Sequence, residues 1–316
     1  MKITDITVYS YHAKYQFGTY TMSDGRAADG YPSIVVTLGL NRGRANAAKA
    51  VIDFACWDIF GKSVGLPTYN LLGGKLCDSV PAFTVVGLGT PESGAKKAVA
   101  EYERGMSALQ LKIGDDPIND ARRITAIRKA VPPEVICFAD ANCGWNLEQA
   151  LIYSRSLGDG ICVPLEQPCR TLADCVEVGK RSGLPIILDE CIVTMADLMA
   201  AHAGGATGIN LKPSRVGGFT KARVMRDAAV ALGMNVTVDD TWGCALLTAQ
   251  NVVFAACIPS RLLRAVDAYT EWTEPMIADA PRMGTNGRLE PTNLPGNGYG
   301  PIKMELLGEP LFEIKA

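Results

Sequence analysis

The chain has 316 residues, of which 48% are hydrophobic and 20% charged, and its net charge is −2. This length suits one large domain with a smaller one, and the weakly acidic balance gives no basic surface, so no nucleic-acid partner is expected. No apolar run approaches the ~20 residues of a membrane span and the first residues lack a signal peptide's apolar core, so no membrane association is expected.

The first 78 residues predict a small α+β domain. Residues 2–9 alternate apolar and polar side chains and residues 33–38 form a second apolar run, which indicates two strands. Residues 15–32 between them are rich in Gly, Tyr and Ser and predict a long loop. Residues 45–64 carry apolar side chains at helical spacing and stop at Gly65, which predicts a helix.

Residues 79–270 predict a barrel in which short apolar runs alternate with helical patterns. Continuous apolar runs are typical of parallel strands that are buried on both faces. Candidate helix caps stand between the runs, namely Asn119, Asn146 with Gln149, Thr171 and Thr194. The eighth run is residues 262–266, and the Pro/Gly-rich residues 271–316 are expected to return to the first domain.

Charged residues end six of these runs at intervals of 23–28 residues. One strand–helix unit of a (β/α)8 barrel has about that length, and such barrels carry their chemistry at the C-terminal ends of the strands. The predicted fold is therefore α/β, a (β/α)8 TIM barrel with an N-terminal α+β domain. In chain order the six residues are Lys112, Asp140, Glu166, Asp189, Lys212 and Asp239.

Three carboxylates at a barrel mouth suit a hard divalent cation such as Mg²⁺. The chain has only two histidines and its ten cysteines form no Cys-x-x-Cys pair, which argues against a His-based triad or a zinc motif and favours a reduced, cytoplasmic protein. The candidate ligands are Asp140, Glu166 and Asp189. The alternative is that these carboxylates cap helices or pair with surface lysines.

Lys112 and Lys212 would lie on strands two and six, on opposite sides of the ring. A buried lysine is costly unless it is paired or deprotonated, and burial with a nearby dication lowers a lysine pKa from ~10.4 toward that of a general base. A substrate on the metal could lose a proton to one lysine and regain it from the other, through a metal-stabilised enediolate. The alternative is two structural lysines that bridge carboxylates.

The motifs from about residue 45 onward resemble the enolase superfamily, in its mandelate racemase/muconate lactonizing enzyme-like branch. The matching stretches are residues 111–114, 139–142 with 144–145, 165–168, 188–190 and 210–218. The resemblance implies a capping domain over a modified (β/α)7β barrel, Mg²⁺ on Asp140, Glu166 and Asp189, and Lys112 and Lys212 as acid/base groups. It also implies a small-molecule carboxylate substrate and a homo-oligomer.

Residues 166–169, 214–218 and 238–243 are similar to those of proline-betaine and hydroxyproline-betaine epimerases. Trp242 would then hold a quaternary ammonium by cation–π contact, and Asp239 or Asp240 would face the substrate nitrogen. The alternatives are a hydrophobic wall for Trp242, and orientation of a lysine or loop for the aspartates. Gln110, Asn142 and Glu190 are further candidates for substrate contact or for positions behind the ligands.

Three features depart from the family pattern. Gln110 stands where many relatives carry a lysine, so like-charge repulsion from that position cannot lower the pKa of Lys112. The segment after Leu40 is short, which indicates a reduced cap or an omitted stretch. The loop 15–31, which should fold over the site, carries Tyr20, Met22 and Ser23 without an assignable role.

The predicted function is a Mg²⁺-dependent racemase or epimerase of a proline betaine or another N-substituted amino acid. The same site would support a dehydratase if the substrate carries a β-hydroxyl group, as in a 3-hydroxyproline, or a cycloisomerase. A non-catalytic barrel is the remaining alternative, and the intact metal and lysine positions argue against it.

Overall fold

The structure is a computed structural model that describes residues 5–16, 18–21, 27–34, 42–240, 243–310 and 312–315. Its first strands are β1 (Asp5–Val8), β2 (Ser10–Tyr15), β3 (Tyr20–Thr21), β4 (Ala27–Ala28) and β5 (Gly30–Ile34). β2 pairs antiparallel with β5, and β3 with β4. The prediction of a long loop over residues 15–32 is therefore wrong in part, because the paired strands β3 and β4 and the start of β5 lie within it.

The predicted helix over residues 45–64 is confirmed as α1 (Arg42–Val64), which is followed by the short α2 (Thr68–Leu71). α1 lies against the outside of the barrel. The rings of Phe54 and Phe219 are 4.7 Å apart, and the Asp53 carboxylate accepts hydrogen bonds from the Thr220 backbone N–H and hydroxyl. This contact connects the N-terminal part of the chain to the side of the barrel that carries Lys212.

Eight parallel strands form the centre of the molecule, and pairing between the last and the first closes the barrel. They are β6 (Val80–Val86), β7 (Ala108–Lys112), β8 (Ile136–Asp140), β9 (Leu165–Glu166), β10 (Ile186–Leu188), β11 (Gly208–Leu211), β12 (Asn235–Val238) and β13 (Leu263–Asp267). Each strand pairs with the next along the chain. The predicted barrel fold is confirmed.

Helices connect the first seven barrel strands to the strands that follow them. They are α3 (Pro91–Glu103), α4 (Pro117–Ala130), α5 (Leu147–Ser156), α6 (Leu172–Ser182), α7 (Met195–Ala203), α8 (Pro213–Val216), α9 (Phe219–Ala231) and α10 (Ala245–Ala255). β13 leads instead into a 3-10 turn at Tyr269–Glu271, so the barrel has the (β/α)7β form. None of the described helices is long and apolar enough to cross a membrane.

The predicted caps are confirmed at Asn146, Thr171 and Thr194, and Asn146 forms a capping box with Gln149. The cap predicted at Asn119 is wrong. Asp116 caps α4 instead, by accepting a hydrogen bond from the Asn119 N–H. Pro117 then takes the first helical position, where its missing N–H costs nothing.

The C-terminal segment adds three strands. β14 (Thr273–Glu274) pairs with β2, β15 (Arg288–Leu289) with β6, and β16 (Phe312–Lys315) with β1, each antiparallel. Strands from both ends of the chain thus share two small sheets. The division into residues 1–78, 79–270 and 271–316 stays a prediction.

Five apolar side chains fill the interior of the barrel below its C-terminal mouth. They form a cluster separate from the larger core between strands and helices, and they come from five different strands. The members are Phe83, Ala108, Phe138, Ile187 and Ala265. This apolar cluster fills the barrel interior, and the polar side chains at the strand ends lie in a layer above it.

Candidate active site

Polar side chains stand at the C-terminal ends of seven of the eight barrel strands. In ring order they are Lys112, Asp140, Glu166, Asp189, Lys212, Asp239 and Asp267. β7 and β11, which carry the two lysines, are four places apart in the eight-strand ring and therefore on opposite sides. The proposed metal-binding carboxylates occupy the three strand ends between them.

Lys112 is bound to the loop that follows β8. Its Nζ lies 2.5 Å from Asp140 Oδ2 and 3.0 Å from Asn142 Oδ1. The Asn142 backbone N–H donates to Asp140 Oδ1 at 2.9 Å, and the Asn142 side-chain Nδ2 donates to Glu190 Oε1 at 3.2 Å. The loops after β7 and β8 lie in close contact. A Cβ on Gly114, whose φ is +118°, would stand 2.6 Å from the Ala141 carbonyl oxygen, so only glycine fits there.

Lys212 is bound to carboxylates on both neighbouring strands. Its Nζ lies 3.2 Å from Asp189 Oδ2 and 3.0 Å from Asp239 Oδ2. Burial alone would lower the pKa of Lys212, and Arg215 also lowers it, but Asp189 and Asp239 outweigh both and raise it. The lowered lysine pKa expected beside a bound dication stays a prediction, because here the two carboxylates act on Lys212 without such a charge next to them.

Arg215 is a second cation on Asp189, and the sequence interpretation gave it no role. Its Nη1 donates to Asp189 Oδ1 at 2.5 Å and to the Asp189 carbonyl oxygen at 2.6 Å. The side chain of Asp189 is only 1% exposed. Lys212 and Arg215 together offset the cost of burying the negative charge of Asp189.

Glu166 is fully buried between polar side chains of the barrel interior. Asn210 Nδ2 donates to its Oε1 at 2.8 Å, and Gln110 Nε2 to its Oε2 at 3.3 Å. Burial, with the charges of Asp140 and Asp189, raises the pKa of Glu166 well above its usual value. The three carboxylates repel one another in a site that water does not screen.

These residues fit Mg²⁺. Their ligand atoms are carboxylate oxygens, which Mg²⁺ prefers, and a dication would relieve their mutual repulsion. Within the described part of the chain no three acidic, His or Cys side chains are already gathered into a cation-binding cluster. Asp140 and Asp189 turn to Lys112, Lys212 and Arg215 instead. A carboxylate has two oxygens with about four lone-pair sites, so each could bind a cation and still accept from a cationic side chain.

Asp267 is a site residue that the sequence interpretation missed. Burial, the charge of the neighbouring Asp239 and a hydrogen bond with Asp239 raise the pKa of Asp267. Burial alone would raise the pKa of Asp239, but Lys212 and the hydrogen bond from Asp267 hold it at about 2. A polar residue directly after each apolar run was the signal used elsewhere, and it would have found Asp267 after residues 262–266.

Asp240 contacts the loop after Lys212, which is one of the two alternatives considered for it. Its carboxylate accepts hydrogen bonds from the Ser214 hydroxyl and, at 3.3 Å, from the Ser214 N–H. The Tyr269 hydroxyl donates to the Asp240 carbonyl oxygen at 2.7 Å. Trp242 lies outside the described residues, as do Met22, Ser23 and the side chain of Tyr20.

Comparison with known proteins shows which family the chain resembles over most of its length. The family model described as "Enolase C-terminal domain-like" matches residues 94–303. A cis-3-hydroxy-L-proline dehydratase of Roseibium aggregatum is 39% identical over 267 residues, which are 84% of this chain and 72% of that protein. An N-succinyl-L-Arg/Lys racemase of Bacillus cereus is 30% identical over 197 residues, 60% of this chain and 53% of that protein.

Solved structures agree with these relatives. One is described as a mandelate racemase/muconate lactonizing enzyme of Roseovarius nubinhibens complexed with magnesium. It superimposes with a TM-score of 0.90 at 28% identity, over 99% of this chain and 100% of that one. The likeness therefore extends to the whole architecture.

Proposed function

The chain belongs to the enolase superfamily, in its mandelate racemase/muconate lactonizing enzyme-like branch, and from this premise we propose that it removes the proton α to the carboxylate of a proline-like amino acid with the help of Mg²⁺. Asp140, Glu166 and Asp189 would hold the metal. When bound, Mg²⁺ would neutralise the negative charge that grows on the substrate carboxylate as the proton leaves.

The observation that carries this proposal is the opposition of the two lysines. Lys112 and Lys212 stand across the barrel mouth from each other, with the three carboxylates between them on one side of the ring. Each Nζ is fixed by a carboxylate, so each can hold a proton at a defined place on one face of a substrate. Lys212 would lose much of the charge of Asp189 if that carboxylate bound a cation, which lowers its pKa toward that of a base.

The group at carbon β of the substrate would decide the product. If it is a hydroxyl group, one lysine takes the α-proton, the other gives a proton to the hydroxyl, the C–O bond breaks and water leaves. The 39% identity to a hydroxyproline dehydratase supports this elimination as the first candidate. We therefore place it before the epimerase that the sequence patterns favoured.

Epimerisation is the second candidate, and the racemase relative supports it. Without a β-hydroxyl group, the lysine opposite the base would return a proton to the other face of the α-carbon. Both reactions need the same two lysines and the same carboxylates. Cycloisomerisation would also use them and stays a third possibility.

The ionised Asp239 supports a substrate that carries a cationic nitrogen. It follows β12 and is hydrogen-bonded to Asp267 at the end of β13, on the side of the ring away from the three metal-binding candidates. A substrate whose carboxylate is on the metal would extend its nitrogen toward this pair. The ionised Asp239 would then supply the opposite charge, as the sequence suggested for it or Asp240.

Proton NMR in D₂O with Mg²⁺ tests the proposal. The substrates are cis-3-hydroxy-L-proline, proline betaine, 4-hydroxyproline betaine and N-methylproline. We expect signals of a dehydrated ring from the first substrate, and loss of the α-proton signal with an intact skeleton from the others. Turnover of a betaine alone would favour the epimerase, and no exchange on any substrate would refute the proline-like substrate class.

The oligomeric state and the cellular location of the protein stay predictions. A homo-oligomer is checked by light scattering of the purified protein. A reduced, cytoplasmic location agrees with the ten cysteines, all of them described and all free thiols.

A further inference from the structure

Gln167 directly follows Glu166 and is fully buried. Its φ is +36°, a left-handed backbone conformation that residues other than glycine seldom adopt. Such a conformation persists only where the surroundings fix it, and it is found at functional sites. The surroundings of Gln167 are the loops that carry the proposed metal ligands.

The side chain of Gln167 binds the loop after β10. Its Oε1 accepts from the Asp189 N–H at 2.9 Å and from the Cys191 N–H at 3.3 Å. Its Nε2 donates to the Cys169 carbonyl oxygen at 2.9 Å and to Cys191 Sγ at 2.9 Å. One carboxamide thus fixes the backbone of a ligand residue and that of its own loop.

The backbone of Gln167 extends this link to the loop after β8. The Cys143 N–H donates to the Gln167 carbonyl oxygen at 2.9 Å, and the Gln167 N–H donates to the Ile187 carbonyl oxygen at 2.9 Å. The three loops so connected are those that carry Asp140, Glu166 and Asp189. Gln167, at the end of β9, is therefore hydrogen-bonded to the loops that follow both neighbouring strands, β8 and β10.

Strand pairing alone does little to fix the positions of β9 and β10 relative to each other. β9 has two residues and β10 has three, and the two strands share only two paired positions. Both end before Asp189, so its N–H has no partner from the strand ladder. The Gln167 side-chain oxygen accepts the hydrogen bond from the Asp189 N–H that a backbone carbonyl would accept if β9 were longer.

We propose that Gln167 is a positioning residue that holds the three carboxylates at the spacing required by Mg²⁺. This rests on the proposed function, because it takes Asp140, Glu166 and Asp189 as the metal ligands. Mg²⁺ demands a near-ideal octahedron with ligand distances of ~2.0–2.1 Å, so small displacements of Asp189 weaken binding. Residues behind the ligands of metal sites typically contribute about 10–100-fold to metal affinity.

The test is a calorimetric titration of the purified protein with MgCl₂. Gln167→Asn keeps the amide and suits a positive φ, but it is one methylene too short to reach the Asp189 N–H. Gln167→Met keeps the length and removes the amide. Gln149→Met is the matched control, since the Gln149 side chain also accepts a backbone N–H, at 3.0 Å from Asn146, but in a helix cap.

We expect both Gln167 variants to raise the Kd for Mg²⁺ by about 10–100-fold, and Gln149→Met to leave it within about twofold. If Gln167→Met does not fold, Gln167→Asn still carries the test. A Kd within twofold of wild type for Gln167→Asn would overturn the positioning role.

Asp189→Asn separates this failure from failure of the metal site. If Asp189→Asn loses Mg²⁺ binding while Gln167→Asn keeps it, the metal site stands and only the role of Gln167 is wrong. If wild type and Asp189→Asn bind Mg²⁺ equally, or neither binds it, the proposed metal site itself is wrong.

Discussion

Arg215→Met should make the stability of the protein depend more strongly on Mg²⁺. The substitution removes the guanidinium that donates to both the side chain and the carbonyl oxygen of Asp189. Removing one partner of a buried ion pair costs about 3–5 kcal/mol, because the other charge stays buried without compensation. We expect a loss at the lower end of this range, about 3 kcal/mol, since Lys212 Nζ still lies 3.2 Å from Asp189 Oδ2.

This cost converts into a change in melting temperature. The entropy of unfolding is about 2.1 cal/mol/K per residue, or roughly 0.7 kcal/mol/K for a chain of this length. A loss of about 3 kcal/mol then lowers Tm by about 4–5 °C in buffer with EDTA. With saturating Mg²⁺ the dication would supply positive charge to Asp189, so we expect at most about half of that loss.

Differential scanning calorimetry with and without Mg²⁺ measures both values. Arg226→Met is the control, because Arg226 is also buried but binds the Leu72 carbonyl oxygen and Asp227, away from the site. Its Tm loss should not depend on Mg²⁺. Equal losses for Arg215→Met with and without Mg²⁺ would refute the reasoning that Arg215 and the metal compensate the same carboxylate.

Three further predictions concern other parts of the structure. Folded Asp267 binds its proton more tightly than in the unfolded chain, whose pKa is ~3.9, so its contribution to stability is lost as pH rises from about 4 through the raised pKa. Asp267→Asn should therefore lose less stability than wild type over that range in pH-dependent thermal unfolding. Asp140→Asn should abolish the rise in Tm with Mg²⁺, which for wild type is about 4 °C at 100 times the Kd. Gly218→Ala should lower Tm by roughly 2–4 °C in the same assay, because φ is +106° and the new Cβ would stand 2.4 Å from Asp53 Oδ2.

Each of these has an outcome that contradicts it. Parallel pH profiles of wild type and Asp267→Asn would mean that this carboxyl does not hold its proton. An unchanged Mg²⁺ response would remove Asp140 from the metal site. A wild-type Tm for Gly218→Ala would mean that α1 moves aside at no cost.

The barrel could be predicted because its signals are local. A run of apolar residues indicates a buried strand, and the polar residue that ends it lies at the mouth whatever surrounds it. Lys112 and Lys212 could therefore be placed on opposite sides of the ring from their strand numbers alone. The rule failed at Asp267 only because it was not applied to the eighth run.

Other features depend on contacts that the sequence does not display. The choice of Asp116 over Asn119 as a cap depends on which residue takes the extended backbone before Pro117. Gln167 reaches Asp189 across 22 positions, and no local pattern marks that distance. The raised pKa of Lys212 results from two carboxylates on neighbouring strands, so it needed the register of the barrel.

Exchange of the α-proton by single-lysine variants tests the central claim most directly. Lys112→Ala and Lys212→Ala would each be incubated in D₂O with Mg²⁺ and, separately, the L and D enantiomers of proline and of proline betaine, and the α-proton signal followed by NMR. Because each lysine faces one side of the substrate, we expect each variant to retain exchange on one enantiomer and lose it on the other, with opposite preference. Exchange of the same enantiomer by both variants, or exchange unaffected in both, would contradict a reaction between two opposed lysines.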